Sequence, residues 1–182
     1  MPIAPYRAGI AATVAAIEWR AAVHEAGHAV ISCVLAIGCT EASIEHGKDS
    51  WGHVVTPDRW QVETAWDRAG KYRSTRSIPI ATIVHLQAGH EAELAFGFDP
   101  IGGDGRDREL MKIELWFCCF GSGPRAAGRR ERLERRLRNS AAHLVRRHAR
   151  AIGAVARALI VRRKLDGERI AAIVEGCRGA GG

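Results

Sequence analysis

The 182-residue sequence has no hydrophobic run long enough to cross a bilayer. One apolar stretch, Val30 to Gly38, is uncharged but only about half the length of a transmembrane helix. A second run, Ala8 to Ile17, follows Arg7 and has the outline of a signal-peptide core. Cleavage there would leave the chain's best motif almost at the new N-terminus, so the run is read as part of the mature protein. The five cysteines (Cys33, Cys39, Cys118, Cys119 and Cys177) are odd in number and show no CxxC spacing. That pattern excludes a disulfide scaffold and a zinc ribbon, and predicts a reducing, cytoplasmic setting. Aromatic residues make up 6% of the chain, and none follows Phe120. With no recognisable nucleic-acid module either, nucleic-acid binding is set aside as the primary role. A phosphate-binding GxxxxGK[ST] loop is missing too, because Gly47-Lys48 is followed by Asp49 without the upstream glycine. No internal repeat is visible.

What is present describes a folded domain. The composition, 47% hydrophobic and 26% charged, is globular rather than disordered. The length suits one domain over 1–182 that builds its own core. The net charge of +7 is unevenly placed. Residues 121–182 hold 16 Lys and Arg against 5 Asp and Glu, whereas residues 1–120 hold 11 against 15. The basic character therefore belongs to the C-terminal part and is almost entirely arginine. Leu133, Leu137, Leu144, Val145, Ile152, Val155 and Leu159 run through the same region at three- and four-residue spacing. This predicts a packing helix with arginines on its outer face.

The periodicity predicts a first helix over about Gly9 to Leu35, then two short strands, Thr40 to Glu45 and Gly52 to Thr56, around the turn His46-Gly47-Lys48-Asp49-Ser50. Residues 58–77 read as loop with one short helix. A second long helix is expected over Pro79 to Phe96, stopped by Gly97. A turn-rich loop, Asp99 to Gly105, leads into a third helix over Arg106 to Phe120, which Gly121-Ser122-Gly123-Pro124 ends. From Arg129 to Arg163 the pattern predicts one helix, or two broken near Gly153. A last short helix follows Asp166-Gly167-Glu168 and ends near Val174. Trp51, Trp60 and Trp66 suit core packing better than a peptide groove, and Cys118-Cys119 suits core better than a metal site.

The chemistry lies in His24-Glu25-Ala26-Gly27-His28, an HExxH within the first helix. Four residues turn a helix by about 400°, so both histidines share one face and can reach one tetrahedral metal ion. Glu25 is adjacent to the first ligand, where its carboxylate can take a proton from a water whose pKa the metal lowers to about 7. Shuffled versions of this composition would contain HExxH in roughly two of a hundred cases, which favours a real site over two incidental histidines. Gly27 costs the helix about 1 kcal/mol relative to alanine, which predicts that another segment packs closely on it. A catalytic zinc usually has three protein ligands. Glu91, Glu93, Asp104, Asp107, Glu109 and Glu114 are acidic candidates, and the other histidines are scattered. A carboxylate opening a helix after a glycine-rich loop is best placed, which leaves Asp104 and Asp107 both open.

His24-Glu25-Ala26-Gly27-His28-Ala29 resembles the HEAGHA motif of the FtsH-type zinc metalloproteases, the peptidase part of membrane-anchored AAA proteases. Ser43-Ile44 and Gly52-His53-Val54 resemble the two strands after that motif. Ala88-Gly89-His90-Glu91-Ala92-Glu93-Leu94 resembles the AGRAAEEL helix. Gly103-Asp104-Gly105-Arg106-Asp107 resembles the GAxxDL segment, whose Asp is the third zinc ligand. Lys164-Leu165-Asp166-Gly167-Glu168-Arg169-Ile170 resembles the closing TLDGEEI stretch. The resemblance spans about residues 18–175. It differs where Arg108 replaces the usual Leu and Asp104 a small residue.

The resemblance implies a single peptidase-like domain, with a metal-site part over 1–120 and basic helices over 121–182. The implied fold is α+β and mainly helical: a zincin-like motif helix beside a small sheet, then a C-terminal helical bundle. It selects Asp107 as third ligand beside His24 and His28, Zn2+ as the cofactor, and Glu25 as general base. Glu93 becomes a candidate support for the ligand histidines. The segment Gly52–Thr56 would be an edge strand that pairs with an extended peptide. Without a motor module, the expected activity is ATP-independent hydrolysis of flexible peptides or unfolded protein, with room for a separate ATPase, an adaptor or a homo-oligomer. A second reading keeps the zinc but not the hydrolysis, giving a regulatory or interaction protein with a peptidase-like fold.

Overall fold

The computed structural model describes residues 4–45, 52–70, 74, 76–99 and 105–179. Within them the chain is mainly helical with a small antiparallel sheet, as expected. The elements run α1 (Ala4–Val34), β1 (Glu41–Ser43), β2 (His53–Val55), α2 (Arg59–Arg68), α3 (Ser77–Ala95), α4 (Gly105–Cys118), α5 (Pro124–Arg147), α6 (Ala149–Arg162), β3 (Lys164–Asp166) and α7 (Gly167–Gly179). The turn His46–Ser50, Trp51, and most of the loop before α4, Asp104 included, lie outside the described residues. No helix among the described residues is long and apolar enough to cross a membrane.

Two helices are buried on nearly all sides and form the centre. From Ala22 to Ser32, all residues of α1 except His24 are buried, and α3 is buried at thirteen positions between Ile78 and Glu93. Helices enclosed in this way need apolar residues all round rather than one stripe. They cross where their side chains are smallest. A Cβ on Gly27 would stand 2.6 Å from the Ala88 carbonyl oxygen and 2.7 Å from the Ala92 Cβ. The close neighbour predicted for Gly27 is therefore α3.

The remaining helices cover this pair. α5 and α6 are amphipathic, and α5 turns Leu137, Ala141 and Val145 inward while most of its arginines are exposed. A single apolar cluster joins Ala22, Val23 and Val30 of α1 to Leu137 and Val145 of α5, Val155 and Leu159 of α6, and Val174 of α7. The metal-site part and the basic part thus share one core. The break in the C-terminal helix falls at His148, not near Gly153. Gly153 is buried inside α6 beside the Phe96 ring, where a Cβ would make ordinary contact at 3.5 Å with two of its atoms.

Two further departures, and the short helix expected within residues 58–77, have simple causes. β3 was not expected. Arg163 stops α6 in the left-handed region (φ 65), its carbonyl accepts from the Ile44 N–H at 2.8 Å, and Lys164-Leu165-Asp166 then pair with Ser43-Ala42-Glu41. The sheet order is β2-β1-β3. Residues 59–68 form a regular helix because Asp58 and Gln61 make a reciprocal capping box. α7 continues to Gly179, past Val174, because its last residues keep to the surface and need no apolar periodicity to signal them. Among the tryptophans, Trp66 is core, with its indole N–H donating to the Ala36 carbonyl at 2.6 Å, whereas Trp60 is 74% exposed.

Replacing Gly27 by alanine should lower stability by about 1–3 kcal/mol, because overpacking against a backbone carbonyl outweighs the roughly 1 kcal/mol of helix propensity gained. Urea denaturation checks this. An unchanged or higher midpoint would refute the close-crossing account.

Candidate metal centre

The crossing of α1 and α3 leaves a small space on the far side of His24 and His28. Gly89 of α3 creates it: a Cβ there would stand 2.6 Å from His24 Nε2 and would also collide with His28 Nε2. The first turn of α4 brings Asp107 to the same point. His28 Nε2 is 3.0 Å from His24 Nε2 and 3.2 Å from Asp107 Oδ2, and His24 Nε2 is 3.4 Å from that oxygen. Ligands at about 2.05 Å from a tetrahedral ion are separated by about 3.3 Å, so this triangle has the edges of a zinc site. Among the described residues, His24, His28 and Asp107 are the group of His, Cys, Asp and Glu side chains able to hold one ion. The donor set and the Gly89 cradle therefore fit the metal that the motif implies.

The outward-facing nitrogens are assigned by their surroundings. A carbonyl oxygen only accepts, so His28 Nδ1 carries the hydrogen that it donates to the His85 carbonyl at 2.8 Å. His24 Nδ1 donates to Glu93 Oε1 at 2.8 Å. Both imidazoles thereby turn Nε2 toward Asp107, and bonds of this kind orient metal-binding histidines. Glu93 is held in turn by Arg20, whose Nε donates to Oε2 at 2.7 Å. Burial raises the pKa of Glu93, but its bonds to His24 and Arg20 bring it below the ordinary value, so it stays ionised. His85 was not singled out from sequence. It is buried and returns a bond from Nδ1 to the His28 carbonyl at 3.2 Å. Burial lowers its pKa to about 3, so the ring is neutral.

The electrostatics describe a place that wants positive charge. Burial lowers the pKa of His24, yet hydrogen bonds to Asp107 and Glu93 and the charge of Glu25 outweigh it, and the value rises to about 10. Burial alone would raise Asp107, but His24 and His28 hold it below the ordinary carboxylate range. In the metal-free chain a proton on His24 thus occupies the place that suits a cation. Glu25 is 8% exposed. Burial pushes its carboxyl above the ordinary value, with His28 and His24 pulling the other way. It lies under the start of β2, where a Cβ on Gly52 would be 2.7 Å from Glu25 Cγ.

The structure brings His24, Glu25, His28, Glu93 and Asp107 together. Asp104 lies outside the described residues. Among the other acidic candidates, Glu91 faces Arg138 at 3.7 Å, Glu109 is exposed, and Glu114 is half-buried further along α4. His53 is exposed at the sheet and pairs with Glu41 at 3.2 Å. Cys118 is buried and Cys119 half-buried, both free, in agreement with core packing. Compared with known proteins, the chain matches no protein-family model and no curated protein.

The raised His24 pKa fixes a direction for the metal-free protein. Its protonation contributes stability that is complete below the unfolded value of 6.5 and is lost as pH rises through about 10. The melting temperature of chelator-treated protein should therefore fall between pH 6.5 and 10 by more than that of His24→Ala under the same treatment. Parallel curves for the two proteins would contradict it.

Proposed function

We propose that this chain is a zinc-dependent metallopeptidase related to the FtsH-type peptidases, and that it hydrolyses peptide bonds in flexible peptides or unfolded protein without ATP. One observation carries the reading. Three metal-binding atoms from two helices converge at tetrahedral spacing beside a buried carboxyl from the same motif. A purely structural zinc site is closed by four protein ligands, whereas three leave a position for water or substrate.

His24, His28 and Asp107 would hold the ion, Glu93 would fix the His24 ring, and the His85 carbonyl would fix His28. Zinc, when bound there, supplies a Lewis acid that polarises a carbonyl and acidifies water. Glu25 takes the proton of the attacking water on its carboxylate and delivers it to the departing amine nitrogen. Its elevated pKa suits both halves of that task, since a base that must also act as an acid works best near the operating pH. β2 has a strand neighbour on the β1 side alone among the described residues, which leaves an edge available to an extended peptide. That edge begins at Gly52, against Glu25. A stable protein substrate would need a separate ATPase or adaptor for delivery, or a homo-oligomer that gathers several sites. The five free thiols favour a cytoplasmic setting.

Replacing Glu25 by glutamine should leave zinc binding intact and reduce casein hydrolysis by about 100-fold or more, the range expected for loss of a general base. Chelation should abolish the wild-type activity and added zinc should restore it. Zinc-loaded wild type without hydrolysis of any unstructured substrate would favour the non-hydrolytic reading, and full activity in Glu25→Gln would remove Glu25 from the mechanism.

A further inference from the structure

α4 has two apolar faces. Met111, Leu115 and Cys118 are buried against the core. Leu110, Ile113, Trp116 and Phe117 are exposed, and at about 100° per residue they fall within an arc of about 120° on the other side of the helix. An arc that wide is what a helix ordinarily presents to a core. Phe120, 57% exposed, extends it just beyond the helix. Its ring lies 4.8 Å from that of Trp116 and 6.3 Å from that of Phe117, centroid to centroid. α2 borders the group: the Arg59 guanidinium stands 5.7 Å from the Phe117 ring centroid, and the exposed Trp60 follows it in sequence. Trp60, Trp116, Phe117 and Phe120 are exposed, while Trp19, Trp66, Phe96 and Phe98 are buried or half-buried. The cluster takes no part in the metal centre beyond sharing α4 with Asp107.

The charges around it indicate what covers it. Arg59 sits on the Phe117 ring, and Arg129 of α5 donates to the Phe120 carbonyl at 3.1 Å. Arg106 and Lys112 are exposed on α4 itself, against one exposed carboxylate, Glu109. The carboxyl of Glu114, beside Leu110 on the helix, has a buried oxygen and is only partly presented to solvent. A second copy docking with this face on itself would bring Arg59 and Arg129 against their own counterparts. Nucleic acid would find flat rings to stack on, but Leu110 and Ile113 offer no such surface in the same arc. Exposed Trp and Phe flanked by Arg, on a helix with no spanning length, match what rests in the headgroup region of an anionic bilayer.

We propose that the outer face of α4, with Trp116, Phe117, Phe120, Arg59 and Arg129, is a peripheral docking surface for anionic membranes. The rings enter the boundary between headgroups and acyl chains, and the arginines meet lipid phosphates and carboxylates. The contact rests on exposed side chains, and no helix among the described residues is long and apolar enough to span, so it is reversible and sensitive to salt.

Vesicle co-sedimentation tests this with the full chain. Vesicles of about three parts phosphatidylcholine to one part phosphatidylserine should bind the protein at least about tenfold more tightly than phosphatidylcholine alone, with affinity falling as salt is raised. The double variant Trp116→Ser/Phe120→Ser and the double variant Arg59→Glu/Arg129→Glu should each weaken binding by about tenfold or more. Circular dichroism verifies that each is folded. Should the aromatic variant fail to fold, the charge variant carries the test alone. Equal binding to both vesicle types, or wild-type binding by the folded variants, would overturn the proposal. So would sedimentation velocity showing a dimer that the aromatic variant dissolves, since the face would then belong to a second copy.

Discussion

The close crossing of α1 and α3 is the constraint on which the rest of this structure depends. Gly27, Ala88 and Ala92 let the two backbones approach within contact distance. That approach puts Glu93 within hydrogen-bond range of His24 and the His85 carbonyl within range of His28. Gly89, on the same side of α3, then keeps the space between the imidazoles and Asp107 clear. A larger residue at Gly27 would separate the helices and loosen the bonds that orient the histidines. A larger residue at Gly89 would fill the site directly. Packing and chemistry are therefore set by one stripe of small residues, and the helix-propensity cost of its glycines is the cost of the site.

The charges follow from this geometry. Asp107, Glu93 and Glu25 converge on two imidazoles in a place largely removed from water, and Arg20 pairs with Glu93. The cluster therefore retains a demand for positive charge, which a proton on His24 meets in the metal-free chain and a divalent ion would meet better. Glu25 differs from its neighbours because it lies beneath β2 and is not one of the three groups that could hold an ion together. Its carboxyl is raised where that of Asp107 is lowered. Two carboxylates with opposite displacements can serve opposite tasks, one as a permanent anion and the other as a proton carrier.

Much of this was legible in the sequence, for identifiable reasons. HExxH fixes the relative placement of His24, Glu25 and His28 through helix geometry alone, and the cost of Gly27 inside a helix pointed to a close neighbour. Which element supplied that neighbour could not be read, because Ala88 and Ala92 carry no signal beyond their size. Asp107 could not be separated from Asp104 by chain logic. The resemblance to a known motif chose it, and the geometry now brings it to the two imidazoles. His85 escaped notice because its contribution is a backbone carbonyl, which any residue possesses. β3 was hidden for a related reason: three residues are too few to show alternation, and their pairing with β1 is a contact between segments about 120 residues apart. The break at His148 likewise lacks a glycine or proline to mark it.

The uneven charge acquires a place in the fold without becoming the function. α5 packs Leu137, Ala141 and Val145 on the core and carries its arginines outside, as the spacing predicted. The central claim concerns the three-residue metal centre, and metal analysis of wild type beside Asp107→Ala tests it most directly. One zinc per wild-type chain, with an affinity lowered by about 100-fold or more in a folded Asp107→Ala protein, is the result expected when one of three ligands is lost. Equal zinc content and affinity in the two proteins, or no zinc in either, would contradict the account.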